Sequence, residues 1–273
     1  MALKLMYITN EPDVAIIAEN AGVDRIFIDL ERIGKEERQH NMDTVKSYHE
    51  ISDIAKIKSV LTKAEVLVRV NKIYSGSEKE IDEVIRWGAD IVMLPYFKTV
   101  EEVKRFLNAV DGRVKTNLLV ETPEAVERLN DILRLDGIDE IHIGINDLHI
   151  GYHRKFMFEL LADGTIEEIC CQLKKNNMKY GFGGIAALGS GALPAERIII
   201  EHYRLGSSMA IVSRSFCDTA KITDREEIRR IFNTGILQIR EYEKEVQRHW
   251  DYFEQNQREI KRIVRKIVGE KTC

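Results

Sequence analysis

Short apolar runs alternate with longer, charge-rich stretches from residue 4 to about residue 215. The runs at 4–8, 25–30, 65–70, 90–94, 116–121, 140–144, 180–185 and 209–213 read as strands. Most are continuous rather than alternating, as expected of parallel strands covered on both faces. Helical stretches separate them at 13–21, 42–61, 78–87, 100–109, 123–133, around 156–176, and at 194–203. Pro123 and Pro194 stand where a first helical turn tolerates proline. Eight strands alternating with helices predict a parallel sheet, and eight is the number that closes a (β/α)8 TIM barrel, the α/β fold expected here. A doubly wound open sheet would carry a glycine-rich turn after its first strand; Ile8-Thr9-Asn10-Glu11 stands there instead.

From Asp224 onward the pattern changes. Apolar residues recur at a seven-residue step, Phe232, Ile239, Val246, Phe253, Ile260 and Ile267, and Tyr242 and Ile263 occupy the accompanying position along with Gly235, His249 and Asn256. A step of seven sustained this long makes a helical seam. The chain thus divides into a barrel domain, 1–223, and a C-terminal helical extension, 224–273. The extension is longer than an eighth barrel helix requires. Its seam is expected to pack on another subunit and give a homo-oligomer; the alternative is a helix folded back on its own barrel.

Composition narrows the class. With 44% hydrophobic residues over 273 positions the chain can bury a full core. A net charge of −4 leaves no basic excess for nucleic acid or an anionic membrane. No apolar run approaches the roughly 18 residues of a membrane span. The opening MALKLMYITNEPD has one lysine and no small-residue cleavage site, so no signal peptide is expected. Cys170, Cys171, Cys217 and Cys273 form neither a disulfide framework nor a zinc spacing, which points to a reducing, cytoplasmic setting.

In such a barrel, chemistry sits on the loops that follow the strands. Asp29-Leu30-Glu31-Arg32 ends the second strand, Arg69-Val70-Asn71 the third and Glu121-Thr122-Pro123 the fifth. Gly144-Ile145-Asn146-Asp147 follows the sixth, Gly183-Gly184 lies in the seventh, and Ser213-Arg214-Ser215 ends the eighth. A carboxylate closing a buried strand, as Glu121 does, needs compensation by a metal or an arginine. Asp147 comes one strand–helix–strand unit later, on the neighbouring strand. Two such carboxylates with waters suit Mg2+ or Mn2+; a helix cap or salt bridge is the competing reading. The planar fork of Arg69 suits a carboxylate or a phosphate. Gly183 and Gly184 either let the backbone approach a ligand or relieve crowding. A structural role is expected for each of His149, His142 and His202, with His149 placed within reach of the mouth. Glu36-Glu37-Arg38 reads as a solvated helix face.

These stretches resemble the HpcH/HpaI family of 2-oxo acid aldolases and citrate lyase β-subunits, metal-dependent barrels that bind pyruvate or phosphoenolpyruvate. The matching segments are DRIFIDLE (24–31), LVRVN (67–71), GADIVMLP (88–95), LLVETPEAV (118–126) and GIDEIHIGINDL (137–148), within a region of roughly 15–215. The resemblance implies that Glu121 and Asp147 hold the metal. It implies that Arg69 holds the carboxylate or enolate oxygen of a 2-oxo acid, and that backbone near Gly183 and Gly184 lines the pocket. The aldolases of this group typically follow the strand-two glutamate with a histidine that works with an aspartate; Arg32 and Arg86 stand at those positions here. Glu31, Asp29 or His149 is then expected to supply the base. Ser213-Arg214-Ser215 is rich in anion donors and is expected to hold a phosphate or second carboxylate, with Ser208 and Arg204 in support.

The implied reaction is reversible carbon–carbon cleavage through a pyruvate enolate. Two alternatives stand beside it: an acyl-CoA lyase or thioesterase of the citrate-lyase kind, and a non-catalytic oxo-acid-binding scaffold.

Overall fold

A computed structural model describes residues 2–34, 49–219, 221–248 and 251–270, and only the backbone of Arg214. Residues 42–48 of the helix predicted at 42–61 and the Glu36-Glu37-Arg38 triplet lie outside these residues; within them that helix starts only at Ile51, after the extended cap residue Glu50. All eight predicted strands form: β1 (Lys4–Ile8), β2 (Arg25–Asp29), β3 (Glu65–Arg69), β4 (Ile91–Leu94), β5 (Lys115–Val120), β6 (Glu140–Ile143), β7 (Lys179–Ile185) and β8 (Met209–Val212). Each pairs in parallel with the next, and β8 pairs with β1 to close the barrel.

The helices are α1 (Pro12–Ala21), α2 (Ile51–Val60), α3 (Ser77–Arg86), α4 (Val100–Val110), α5 (Pro123–Glu127), α6 (Leu129–Ile132), α7 (Ile145–Gly151), α8 (Glu159–Ala162), α9 (Thr165–Lys175), α10 (Ala195–Leu205), α11 (Arg225–Val246) and α12 (Tyr252–Glu270). Local chemistry sets several starts. The Thr99 hydroxyl accepts from the Glu102 amide while the Glu102 carboxylate accepts from Thr99, a reciprocal cap on α4. Thr122 caps α5, with Pro123 at its first position.

Side-chain alternation sorts each strand into an outer and an inner row. The outer row joins the helices in the main core. The inner row has three levels. At the N-terminal end lie Arg25, Glu65, Asn117 and Glu140, where Arg25 donates to both Glu140 oxygens at 2.7 Å and to Glu65 at 2.9 Å. Above them Met6, Phe27, Leu67, Ile91, Met93, Leu119 and Met209 form a separate apolar cluster. Polar residues return at the C-terminal end as Asp29, Arg69 and Glu121. The strands that read as continuous apolar runs thus carry charge at both tips of the inner row.

The C-terminal extension is two helices. α11 packs on α1, in the place of an eighth barrel helix. Arg240 donates to the Leu3 and Gly22 carbonyls, and buried Glu243 accepts from the Leu3 amide and the Tyr203 hydroxyl. α12 turns back along α10 and α8. Phe232, Ile239, Val246 and Ile260 of the seam are buried within the chain. Asn256, also buried, donates to the Arg197 carbonyl at 3.0 Å and to Glu201 at 2.9 Å. The seven-residue step fits either a partner subunit or the chain's own barrel; in the structure these seam residues lie against the chain's own barrel. Among the described residues no helix is long and apolar enough to cross a membrane.

Candidate functional site

Arg69 is the hub of the barrel's C-terminal mouth. Its Nε and Nη2 each donate to Asp29 at 2.9 Å, and its Nη1 lies 3.4 Å from Glu31. Asp29, Glu31 and Arg69 face the same way because inner-row positions repeat every two residues. Burial works against the guanidinium's charge, but Asp29, Glu31 and Glu121 together raise its pKa further above the arginine range. Glu121 therefore stands within the electrostatic reach of Arg69.

Glu121 is buried just beyond β5 and accepts the Tyr96 amide at 2.9 Å. Tyr96 takes a φ of 48° to deliver that amide, a left-handed conformation costly for a non-glycine residue. Position 144 must be glycine for a steric reason: a Cβ there would lie 2.7–2.8 Å from the Glu121 side chain. Asp147 sits in the first turn of α7. Glu121 and Asp147 line one cavity of about 460 Å3, together with Tyr96, Lys98, Glu124 and Glu127. The strand-tip carboxylate and the one on α7 thus share a cavity, which Arg69, Asp29 and Glu31 do not line. No cluster of three or more His, Cys, Asp or Glu side chains placed to hold a metal ion occurs among the described residues.

The remaining predicted residues fall in several places. Asp29 and Glu31 are at the mouth, held by Arg69 as described. His149 is buried, and its Nδ1 contacts the Asn146 carbonyl of its own helix. His142 lies inside the barrel, its Nε2 3.2 Å from the Gly183 carbonyl. Burial pushes its pKa down to about 4, so it is neutral at pH 7. His202 stacks on Phe182 with centroids 3.9 Å apart, and burial pushes it down to about 3.

Gly183 and Gly184 lie where the β7–β8 register shifts. A Cβ on Gly183 would meet Ile145 at 2.7 Å, so this close approach is to the helix carrying Asp147. Ser213 and Ser215 face each other with hydroxyl oxygens 2.9 Å apart at a single 3-10 turn; the Arg214 side chain lies outside the described atoms. Arg204 and Ser208 do not support this turn. Arg204 is paired with Glu167 and Glu201 near the end of α10, and Ser208 donates to the Tyr180 carbonyl just before β8. A helix after a barrel strand runs back toward the strand's start, so both residues are at the opposite end from Ser213.

Sequence reasoning missed His49. Its ring is buried and its Nδ1 accepts the Asp29 amide at 2.9 Å. Arg32, which takes the place of the histidine typical of the aldolases, donates to the His49 carbonyl at 2.9 Å. The one available signal was position: His49 immediately precedes Glu50, the cap residue of α2.

Solved structures of the same fold include an HpcH/HpaI aldolase from Desulfitobacterium hafniense, at 16% identity over 78% of this chain and 86% of that one, TM-score 0.57. An HpcH/HpaI aldolase/citrate lyase family protein from Burkholderia cenocepacia aligns at 14% identity over 84% and 95%, TM-score 0.60. Macrophomate synthase aligns at 15% identity over 78% and 77%, TM-score 0.56. No curated protein matches the sequence. The HpcH/HpaI aldolase/citrate lyase model matches residues 4–180, well over half of the chain and every strand from β1 to β6, and the protein belongs to that family.

Proposed function

We propose that the protein is a metal-dependent carbon–carbon lyase that forms or cleaves a 2-oxo acid through a pyruvate enolate. The observation that carries this reading is Glu121 and Asp147 lining one cavity, with Arg69 close enough to feel the charge of Glu121. The donor set fits Mg2+ or Mn2+: two hard carboxylate oxygens in a cavity with room for the waters and substrate oxygens such ions retain. Glu121 and Asp147 would hold the ion, which when bound supplies Lewis-acid stabilisation of the developing enolate.

The chain's own residues do the rest. A guanidinium has five N–H donors. Asp29 takes two of those of Arg69 and Glu31 faces a third, which leaves two to grip the carboxylate of a 2-oxo acid. Asp29, bound side-on, keeps that fork oriented. Glu31 has the looser contact, and to it we assign proton transfer at the electrophile's oxygen, with no histidine at position 32 to do so. The cavity of about 460 Å3 beside Glu121 and Asp147 is of a size for a small substrate, while Arg69, Asp29 and Glu31 stand outside its lining. One lysine among four acidic residues in that cavity is a poor match for the phosphates of coenzyme A, which favours the aldolase over the thioester reading.

The test is exchange of pyruvate methyl protons into heavy water with Mg2+ or Mn2+, followed by adduct formation with a panel of aldehydes. Exchange that depends on the metal and disappears in Arg69→Met is the expected result. No exchange with any divalent metal would overturn the proposal.

A further inference from the structure

The amides of β2 face its two neighbours in turn. Leu30 N–H donates to the Arg69 carbonyl on the β3 side at 2.9 Å, whereas the Phe27 carbonyl accepts from Thr9 on the β1 side at 3.3 Å. Asp29 shares the orientation of Phe27, so its N–H points to the β1 side. β1 ends at Ile8, and the ring of His49 stands where the next strand acceptor would be. An amide can only donate, so Nδ1 of His49 carries a lone pair, and the neutral ring has its hydrogen on Nε2.

His49 is held from both directions. Arg32 donates to its carbonyl, and the next residue opens α2 through a reciprocal cap between Glu50 and Asp53. Asp53 also accepts from Asn10 in the loop after β1 at 2.9 Å. The ring is thus fixed to the frame of the barrel, and through one hydrogen bond it fixes the backbone of Asp29. The carboxylate of that residue makes the two bonds that orient Arg69.

We propose that His49 is a positioning residue for the oxo-acid clamp: its Nδ1 holds the Asp29 amide and thereby sets the Asp29–Arg69 fork. The inference rests on the reading of Arg69 as the oxo-acid anchor. It also accounts for Arg32, whose reach to the His49 carbonyl steadies a different histidine at the same strand tip. The role is carried by Nδ1 and not by Nε2.

The experiment compares His49→Asn, His49→Gln and His49→Ala. Asparagine can present an acceptor close to the position of Nδ1, and glutamine reaches the position of Nε2. Binding of oxalate in the presence of Mg2+ is measured by calorimetry, KM and kcat by turnover, and the Asp29 amide and Arg69 Nε–H signals by NMR without ligand. The expected result is near wild-type affinity for Asn, and affinity weakened about three- to tenfold for Gln and Ala, the share of one backbone hydrogen bond. The loss should fall on KM for the oxo acid more than on kcat, with faster exchange of the Asp29 amide in the same two variants. Rescue by Gln and not Asn, or equal behaviour of all three, would overturn the proposal. Failure of the wild-type protein to bind oxalate would sink the oxo-acid reading, while the ligand-free NMR comparison would still decide whether Nδ1 holds Asp29.

Discussion

Glu140→Gln should destabilise the barrel severely and leave its mouth intact. The Arg25 side chain has no exposed surface, and that of Glu140 is 5% exposed. Both Glu140 oxygens accept from Arg25 at 2.7 Å; the only other carboxylate on Arg25 among the described residues is Glu65, at 2.9 Å and 26% exposed. Burial opposes the charge on Arg25, and the hydrogen bonds and charge of Glu140 and then Glu65 more than restore it. Neutralising Glu140 leaves a buried guanidinium half compensated. Breaking a buried pair from one side costs about 3–5 kcal/mol. For a domain of this size that lowers Tm by on the order of 10 °C. The assay is thermal and urea unfolding of Glu140→Gln beside Arg25→Met/Glu140→Met, which removes both charges at similar volume. The double variant should recover most of the loss, because an apolar replacement of a buried pair is often neutral. Oxalate and Mg2+ affinity should be unchanged in both, since the apolar level of Phe27, Leu67 and Leu119 separates this ion pair from Arg69. A Tm shift under about 2 °C in the single variant would refute the energetic argument, and a parallel loss of ligand affinity would refute the separation.

Glu121→Gln and Asp147→Asn should each weaken Mn2+ binding by at least about tenfold, read by titration of the free-ion EPR signal, because each removes one of the two charged ligands proposed above. Stability should fall on acidification through His142. Its folded pKa of about 4 lies below the unfolded value near 6.5, so its contribution is whole above pH 6.5 and is lost as pH falls towards 4. The loss is about 3 kcal/mol, and chemical unfolding at pH 7 and pH 4 should show a smaller difference in His142→Gln. Truncation after Gln247 should lower Tm by uncovering the faces of α10 and α8 that α12 covers, without altering the oligomeric state seen by light scattering. A change of assembly would return the seam to a partner subunit. Asn256→Ala should cost about 1–3 kcal/mol by leaving Glu201 and the Arg197 carbonyl short of a donor.

The barrel was legible because each parallel strand needs apolar side chains on both faces, and that requirement writes a run such as Ile26-Phe27-Ile28 directly into the chain. The charged tips were legible for the same reason: Arg69 and Glu121 interrupt runs that should be apolar. What escaped was anything set by distance across the barrel. Nothing local in DLER says that Asp29 will occupy the side-on face of Arg69, 40 residues away. Ser208 and Arg204 are near Ser213 in sequence, but the length of β8 lies between them in space. His49 falls inside the helix predicted at 42–61, whereas the structure starts that helix at Ile51 and leaves His49 in the segment before its cap. The heptad seam reads as a buried face with two candidate partners, since a helix lying on its own barrel and a helix lying on another subunit need the same stripe.

The inner row of this barrel joins two ionic levels through an apolar one, and the two arginines rest on that middle level from opposite sides. Arg25 Nη1 lies 3.8 Å from the Met209 sulfur, and the Arg69 guanidinium lies 5.6 Å from the centre of the Phe27 ring. An apolar layer of this kind strengthens every charge interaction beside it by keeping water away. At the N-terminal end that strength is turned inward, since two carboxylates satisfy Arg25 and the arrangement is complete without a ligand. At the C-terminal end the same chemistry stands at the barrel's mouth. Asp29 and Glu31 secure Arg69 from the side, and Glu121, whose charge reaches Arg69, lines a cavity with Asp147, Glu124 and Glu127, where the proposed cation would be held. On the proposed reading, the two ends differ in where the second charge comes from: the opposite strand at one end, and solution at the other.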